Sequence, residues 1–530
     1  MSRGTMLSNL RSVSLVSLLT MGSRVLGLVR DILFFSCFGT SAAGAAFIFA
    51  FTLPNLFRRM LGEGALASAV VPVLSDAFEA GGRESGFALL NKVLTRLLSW
   101  LIPMVAICCL LAWWAGRSGW IADEKWARGI ELVAWTMPYL ILISLTAMIV
   151  AALNVRKRFG VGACTPILLN LAMITTLLWF GGDSDDVSLD FLAYALCGGV
   201  LIGGFLQLLA PCVDFTRGEG WRPRLDFTAS DELRRVWALF LPGVLGAAVL
   251  QINTMVSRAM AYSLDEEGAI SVLFIAARLI EFPLGVFAIA VTTVVFPMLA
   301  GMRSQKDDKG YFTVFHQGLR LTLAVTLPAA VGLILLREPI LGFLFDWGRF
   351  GEDDVGRTAP VLAVVALGMP FYAMAAFFTR GFHARKDMRT PVRGAVISLG
   401  MNSVLSAASV IFLREWAILG LAAANVLASM FQGAYLLVKF RRLDGAASLP
   451  LRLGLGSIAG ACLCLGIVVW GGWEWITSLE QMSGKGQATL AVCGLIPVVT
   501  VIYFVILGRL GFPDAGLLRS MLDWRREEES

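Results

Sequence analysis

An arginine inside lipid costs at least about 2.5 kcal/mol on insertion scales, so each one within an apolar run needs a reason. Arg24 and Arg30 lie in the apolar stretch 11–36 with Asp31, and Arg58 and Arg59 lie in 42–75 with Asn55 and Glu63. Arg278 lies in 270–302, three residues before Glu281. The planar guanidinium presents paired N–H donors, a fork that matches the oxygens of a phosphate. Arg24, Arg30, Arg58 and Arg278 outnumber Asp31, Glu63 and Glu281. A surplus of cations in low dielectric points to an anion that the chain does not itself supply, and a pyrophosphate suits the forks.

Helical geometry ranks these residues. Ser17, Arg24 and Asp31 recur every seven residues, which keeps them within about 20° of one stripe per step and turns that stripe to protein or water. Arg30 is rotated about 120° from Arg24, so both reach one site only across a wide cavity or through a break near Gly27. Residues 42–75 would span about 50 Å as one straight helix, and a bend near Pro54 and Gly62/Gly64 is expected. Snorkelling of Arg58 and Arg59 to headgroups competes with a place inside, and pairing with Glu281 competes for Arg278.

The elements that carry them are membrane helices. The chain has 530 residues, 57% hydrophobic and 15% charged, with a mean hydropathy of +0.75, which excludes a soluble protein. Apolar stretches recur at 11–36, 42–75, 88–116, 128–153, 160–181, 189–215, 234–262, 270–302, 313–336, 355–382, 391–413, 416–438, 453–477 and 487–508. The fold class expected is therefore all-α integral membrane, with about fourteen transmembrane helices; the short alternating segments of a membrane barrel are absent. Arg3 and Arg11 before Val13–Met21 imitate a signal peptide, but Arg24 and Arg30 interrupt the same run, so the first helix is expected to stay. Arg83 and Lys92, Arg156–Arg158, Arg217–Arg235, Arg303–Lys309, Arg385–Arg389 and Lys439–Arg452 fall on one side of this count, with both ends of the chain. Positive-inside bias then puts both termini in the cytoplasm; Lys125, Arg128, Arg337 and Arg349 are the exceptions.

An internal duplication is legible. Met137-Pro138-Tyr139, Arg156–Arg158, Thr165-Pro166 and Asn170 recur in order as Met369-Pro370-Phe371, Arg385-Lys386, Thr390-Pro391 and Asn402. Leu53-Pro54 and Val71-Pro72 are echoed by Phe282-Pro283 and Phe296-Pro297. Two parallel six-helix repeats are expected, an N-terminal lobe 1–225 and a C-terminal lobe 226–445, then an extra helix pair 446–512 and a cytoplasmic tail 513–530.

Other chemistry is missing from the sequence. No phosphate-binding Gly-x-x-x-x-Gly-Lys-Ser/Thr loop occurs, and no carboxylate or nucleophile constellation suits an enzyme. The nine cysteines lack metal spacing and read as core thiols; His316 and His383 are isolated. Glu352-Asp353-Asp354 reads as a solvated turn rather than a metal site. No cofactor and no metal are expected. Basic residues in short loops are explained by topology, so no nucleic-acid partner is inferred despite a pI near 8.9.

On Ser23-Arg24-Val25-Leu26-Gly27, Arg30-Asp31, Leu53-Pro54-Asn55-Leu56 with Arg58-Arg59, Glu63-Gly64-Ala65 and Arg278-Leu279-Ile280-Glu281-Phe282-Pro283, the sequence resembles the MurJ/MviN family of the MOP transporter superfamily. The resemblance implies a lipid II flippase of the bacterial inner membrane, with two lobes about a central cationic cavity and alternating access. It implies that Arg24, Arg30, Arg58 and Arg278 bind the anionic polyprenyl-pyrophosphate glycopeptide, and that the last helix pair holds its lipid tail. Ala45 and Ala277 stand where some relatives have acids, which leaves gating detail and any coupling ion unidentified. A flippase for another lipid-linked glycan, such as an O-antigen unit, is the main alternative. A cation or drug antiporter would need surplus acids at mid-depth.

Overall fold

The computed structural model describes residues 3–60, 66–182, 188–285, 289–443, 454–479, 482–514 and 516. Among them there is no strand, and ten helical stretches are long and apolar enough to cross a membrane. That architecture follows from the solvent: without water, each backbone N–H and C=O must be satisfied within its own segment. The chain divides into two compact units, Met1–Ser271 with Trp347–Phe350, and Val272–Asp346 with Gly351–Ser530.

The first unit is built from α1 (Arg3–Phe38), α2 (Ala42–Met60), α3 (Leu66–Arg117), α4 (Glu124–Thr136), α5 (Tyr139–Val155), α6 (Gly160–Phe180), α7 (Leu189–Glu219) and α8 (Asp231–Tyr262). Capping residues start several of them: Asp123 accepts from the backbone N–H of Lys125 and Trp126, and Ser188 from that of Phe191. α6 packs on α1 and α7, and α3 on α4, α5 and α8. A buried chain of hydrogen bonds ties α5, α6 and α7: Tyr139 Oη donates to Gln207 Oε1 at 3.1 Å, and Gln207 Nε2 to Thr165 O at 2.8 Å. Gly204 permits this approach, since a Cβ there would lie 2.6 Å from the Tyr139 ring.

The expected long span 42–75 is two helices, α2 and the start of α3, and residues 61–65 between them lie outside the described residues. α2 continues through Pro54. α3 is broken at Gly82, whose φ of +66° no helix accommodates. Left-handed residues recur along the chain: Gly39, Gly82, Gly119 and Lys157 are followed in the same order by Gly268, Lys306, Gly348 and Lys386. Even the closing hydrogen bonds correspond. The N–H groups of Arg156, Lys157 and Arg158 bond the carbonyls of Ala152, Asn154 and Leu153, and those of Arg385, Lys386 and Asp387 bond Gly381, His383 and Phe382.

The second unit takes up α9 (Ala269–Pro283) from Val272 onward, α10 (Ile289–Ser304), α11 (Asp308–Leu335), α12 (Arg337–Phe345), α13 (Glu352–Leu367), α14 (Met369–Ala384), α15 (Arg389–Phe412) and α16 (Ala417–Arg441). Then follow α17 (Leu455–Thr477), α18 (Gly484–Leu490) and α19 (Ile496–Arg509). Glu352, Asp353 and Asp354 form the first turn of α13, where negative charge meets the helix N-terminus. The final helices dock on α11: Tyr503 Oη donates to Ala324 O at 2.7 Å. Beyond them, Asp514 takes Arg320 Nε at 2.6 Å and Nη2 at 3.1 Å, with Gln317 Nε2 at 3.1 Å. The pair is enclosed, with side-chain exposures of 15% for Arg320 and 6% for Asp514. Breaking a buried pair from one side costs on the order of 3 kcal/mol, because the other charge stays behind. Asp514→Ala is therefore expected to lower the thermal unfolding midpoint in detergent and to speed proteolysis after α19.

Candidate functional site

α1 runs unbroken past Gly27, so no break brings Arg24 and Arg30 to one side. Arg30 turns to α6, where Nη1 donates to Asn170 Oδ1 at 3.1 Å, while Nε and Nη2 bond Asp31 Oδ1 at 3.0 and 2.5 Å. Asn170 Nδ2 donates back to Ser23 O at 3.1 Å, so one amide fixes the arginine and its helix together. Asp31, expected on the Arg24 stripe, is thus buried as the counter-ion of Arg30. Arg24 is half-buried and, among the described residues, has neither a hydrogen bond nor an ion pair. The Ser17 side chain lies outside the described residues.

On α2, Thr52, Asn55 and Arg58 succeed one another about a turn apart. Arg58 Nε donates to Asn55 Oδ1 at 3.0 Å. An amide thus helps to orient each of Arg30 and Arg58, Asn170 alongside Asp31 for the first and Asn55 for the second. Glu63 and the Arg59 side chain lie outside the described residues. From α8, Arg258 Nη1 donates to Thr52 Oγ1 at 2.6 Å, above a small cleft lined by Phe49, Leu53, Val133 and Met255. The rule that picked out Arg24 selects Arg258 equally, for it also sits in an apolar stretch; the sequence reading passed over it.

In the second unit Arg278 Nη1 pairs with Glu281 Oε2 at 3.0 Å, the spacing of one helical turn, and both side chains keep substantial exposure. Arg320 and Arg380 are further arginines of apolar stretches that the sequence reading left aside. Among the described residues no group of three or more His, Cys, Asp or Glu could hold a metal ion. Ala45 is buried and Ala277 exposed.

Three turns of the first unit meet at the end of α1. The Ala42 N–H, at the start of α2, donates to Glu267 Oε1 at 2.8 Å. Gly268, at φ +76°, presses on Thr40. Arg349 N donates to Ser36 O at 2.8 Å, and Phe350 packs on Phe35 with ring centroids 6.0 Å apart. The short loop after α1 and the loop after α8 are thus laced directly, although neither carries Lys or Arg.

Solved structures share this fold. One titled "Lipid II flippase MurJ, inward closed conformation" superposes with a TM-score of 0.76 at 26% identity, covering 96% of this chain and 99% of that one. An inward-facing MATE family transporter of the MOP superfamily shares the fold at a TM-score of 0.65 and 14% identity, over 80% of this chain and 96% of its own. With arginines set in apolar helices, this fold defines a polytopic membrane transporter, not an enzyme. The family model described as "Lipid II flippase MurJ" matches residues 34–482, and the chain belongs to that family. A "Probable lipid II flippase MurJ" of Rhizobium tropici is 32% identical over 96% of this chain and 95% of its own length. The "Lipid II flippase MurJ" of Burkholderia cenocepacia is 28% identical over 95% of this chain and 98% of its own length.

The lacing gives a prediction. A Cβ at Gly268 would lie 2.1 Å from Thr40 O, at a φ that costs an L-residue about 1–2 kcal/mol. Gly268→Ala should therefore speed hydrogen exchange at Ser41 and Ala42 while exchange in α5 stays unchanged.

Proposed function

We propose that this chain moves lipid II, an undecaprenyl-pyrophosphate-linked peptidoglycan precursor, from the cytoplasmic to the outer leaflet of the bacterial inner membrane by alternating access. The observation that carries the reading is Arg24: an arginine in the middle of a membrane helix, with no partner among the described residues, on a chain of the lipid II flippase MurJ family. In this reading Arg24, Arg30, Arg58 and Arg278 act together on the pyrophosphate. Ser17, Asp31, Asn55, Arg59, Glu63 and Glu281 support them. Asn55 supports the reading because it holds Arg58 in a fixed direction, and Asn170 joins Asp31 in fixing Arg30.

The same proposal has fourteen membrane crossings, both termini in the cytoplasm, and lobes 1–225 and 226–445 as parallel repeats, followed by the pair 446–512 and the tail 513–530. The ordered recurrence of Gly39, Gly82, Gly119 and Lys157 as Gly268, Lys306, Gly348 and Lys386 supports the repeats, since turn positions of this kind are hard to match by chance. The laced turns supply a candidate outer gate.

Lysine keeps the charge of arginine and loses its fork. Arg24→Lys, Arg58→Lys and Arg278→Lys should each cut flipping of lipid II in proteoliposomes about 10–100-fold, the worth of one charge-assisted hydrogen bond, while Arg441→Ala stays near wild type. Native mass spectrometry of the purified chain should find a pyrophosphate-linked muropeptide bound. Full activity of Arg24→Lys, or a different lipid-linked glycan in the spectrum, overturns the assignment. For the gate, Ala42→Cys with Glu267→Cys, in a chain freed of its nine cysteines, should form a disulfide that stops transport until reduced. Transport by the cross-linked protein would rule out opening at these turns.

A further inference from the structure

The segment between α7 and α8, 220–230, has no regular structure, yet it is fastened along α3. Trp221 is buried, and its Nε1 donates to Asn91 Oδ1 at 3.0 Å, while Asn91 Nδ2 donates to Arg222 O at 3.2 Å. A helical turn further on, Thr95 Oγ1 accepts from Asp226 N at 2.9 Å, and Arg96 Nη2 donates to Phe227 O at 3.3 Å. The hydroxyl and backbone N–H of Thr228 both bond the Asp226 carboxylate and hold it below the usual carboxylate range, so that charge is engaged within the segment. Ser230 then caps α8 by accepting from Leu233 N at 3.3 Å.

So pinned, the strap presents Arg222, Arg224, Leu225 and Phe227 outward, with Leu225 71% and Phe227 61% exposed. Its height on α3 is fixed by sequence. Ser99–Gly116 is uncharged over eighteen residues, about 27 Å of helix, close to the hydrocarbon thickness. Arg96 lies just below that run, and Trp100, 71% exposed, just inside it. Phe227, bonded through its carbonyl to Arg96, therefore sits at the edge of the hydrocarbon. At that depth large apolar side chains leave water for the acyl–headgroup boundary, and arginines reach phosphate oxygens.

We propose that the strap 220–230 is a binding site for acidic phospholipid headgroups on the arginine-rich face of the membrane, with Leu225 and Phe227 seated among the acyl chains and Arg222 and Arg224 on the phosphates. The site goes beyond the translocation reading and does not depend on it. Because Ser230 starts α8, the bound lipid sets the depth at which that helix enters the bilayer.

Two measurements on the full-length protein in nanodiscs test this. A fluorophore on Leu225→Cys, in the cysteine-free chain, is expected to be quenched by nitroxide-bearing phospholipid and shielded from aqueous acrylamide. In native mass spectrometry the wild type is expected to retain phosphatidylglycerol over phosphatidylcholine, and the Arg222→Gln/Arg224→Gln variant to lose that preference roughly tenfold or more, from the worth of an arginine near an anionic surface. A probe reached by acrylamide and untouched by lipid nitroxide overturns the proposal, as does equal phosphatidylglycerol retention in both proteins. Leu225 is exposed, so labelling it leaves folding intact and the first measurement stands even if the arginine variant fails to fold.

Discussion

Hydrocarbon offers no hydrogen bonds, and each feature of this chain answers that constraint. Backbone groups meet it by forming helices. Polar side chains meet it by finding partners, as Tyr139 does in Gln207 and Gln207 in the Thr165 carbonyl between α5, α6 and α7. Guanidinium groups are the hardest case, since a charge and five donors must be satisfied together. Arg30 meets the demand with Asp31 and Asn170 from α6, and Arg320 with Asp514 beyond α19. Arg24 has neither a hydrogen bond nor an ion pair among the described residues.

The neutral amides are central to how such a site would work. A carboxylate beside each arginine would fix its direction and cancel its charge. Asn55 fixes the direction of Arg58 through a neutral amide. In the proposed reading, a cargo with a pyrophosphate would meet oriented donors in low dielectric, where charge-assisted bonds are strongest. Because such a cargo must also be released, binding shared among several moderate contacts suits transport better than one deep trap.

Much of this was legible in the sequence, for identifiable reasons. Apolar stretches gave membrane helices because length and hydropathy alone decide crossing. Arg24, Arg30, Arg58 and Arg278 stood out because charge in lipid is rare, and the spacing of Arg278 and Glu281 gave their pair. The Arg30–Asn170 contact was hidden, since it joins positions 140 residues apart, though Asn170 was visible as a repeated landmark. Asp31 was read as lining a stripe with Arg24, whereas its neighbour Arg30 claims it. Arg258 carries the same signal as Arg24, a charge inside an apolar stretch. The Trp221–Asn91 contact lay beyond reach, because a tryptophan after a glycine in a polar loop carries no mark of the helix it enters.

The clasp at the far end of the chain also orders events during synthesis. Asp514 leaves the ribosome 194 residues after Arg320, roughly 10–40 s later at ordinary elongation rates. Throughout that interval the Arg320–Asp514 ion pair cannot yet form. Insertion of α17 to α19 therefore completes a contact to a helix laid down long before, and that contact closes only when Asp514 has folded back on α11.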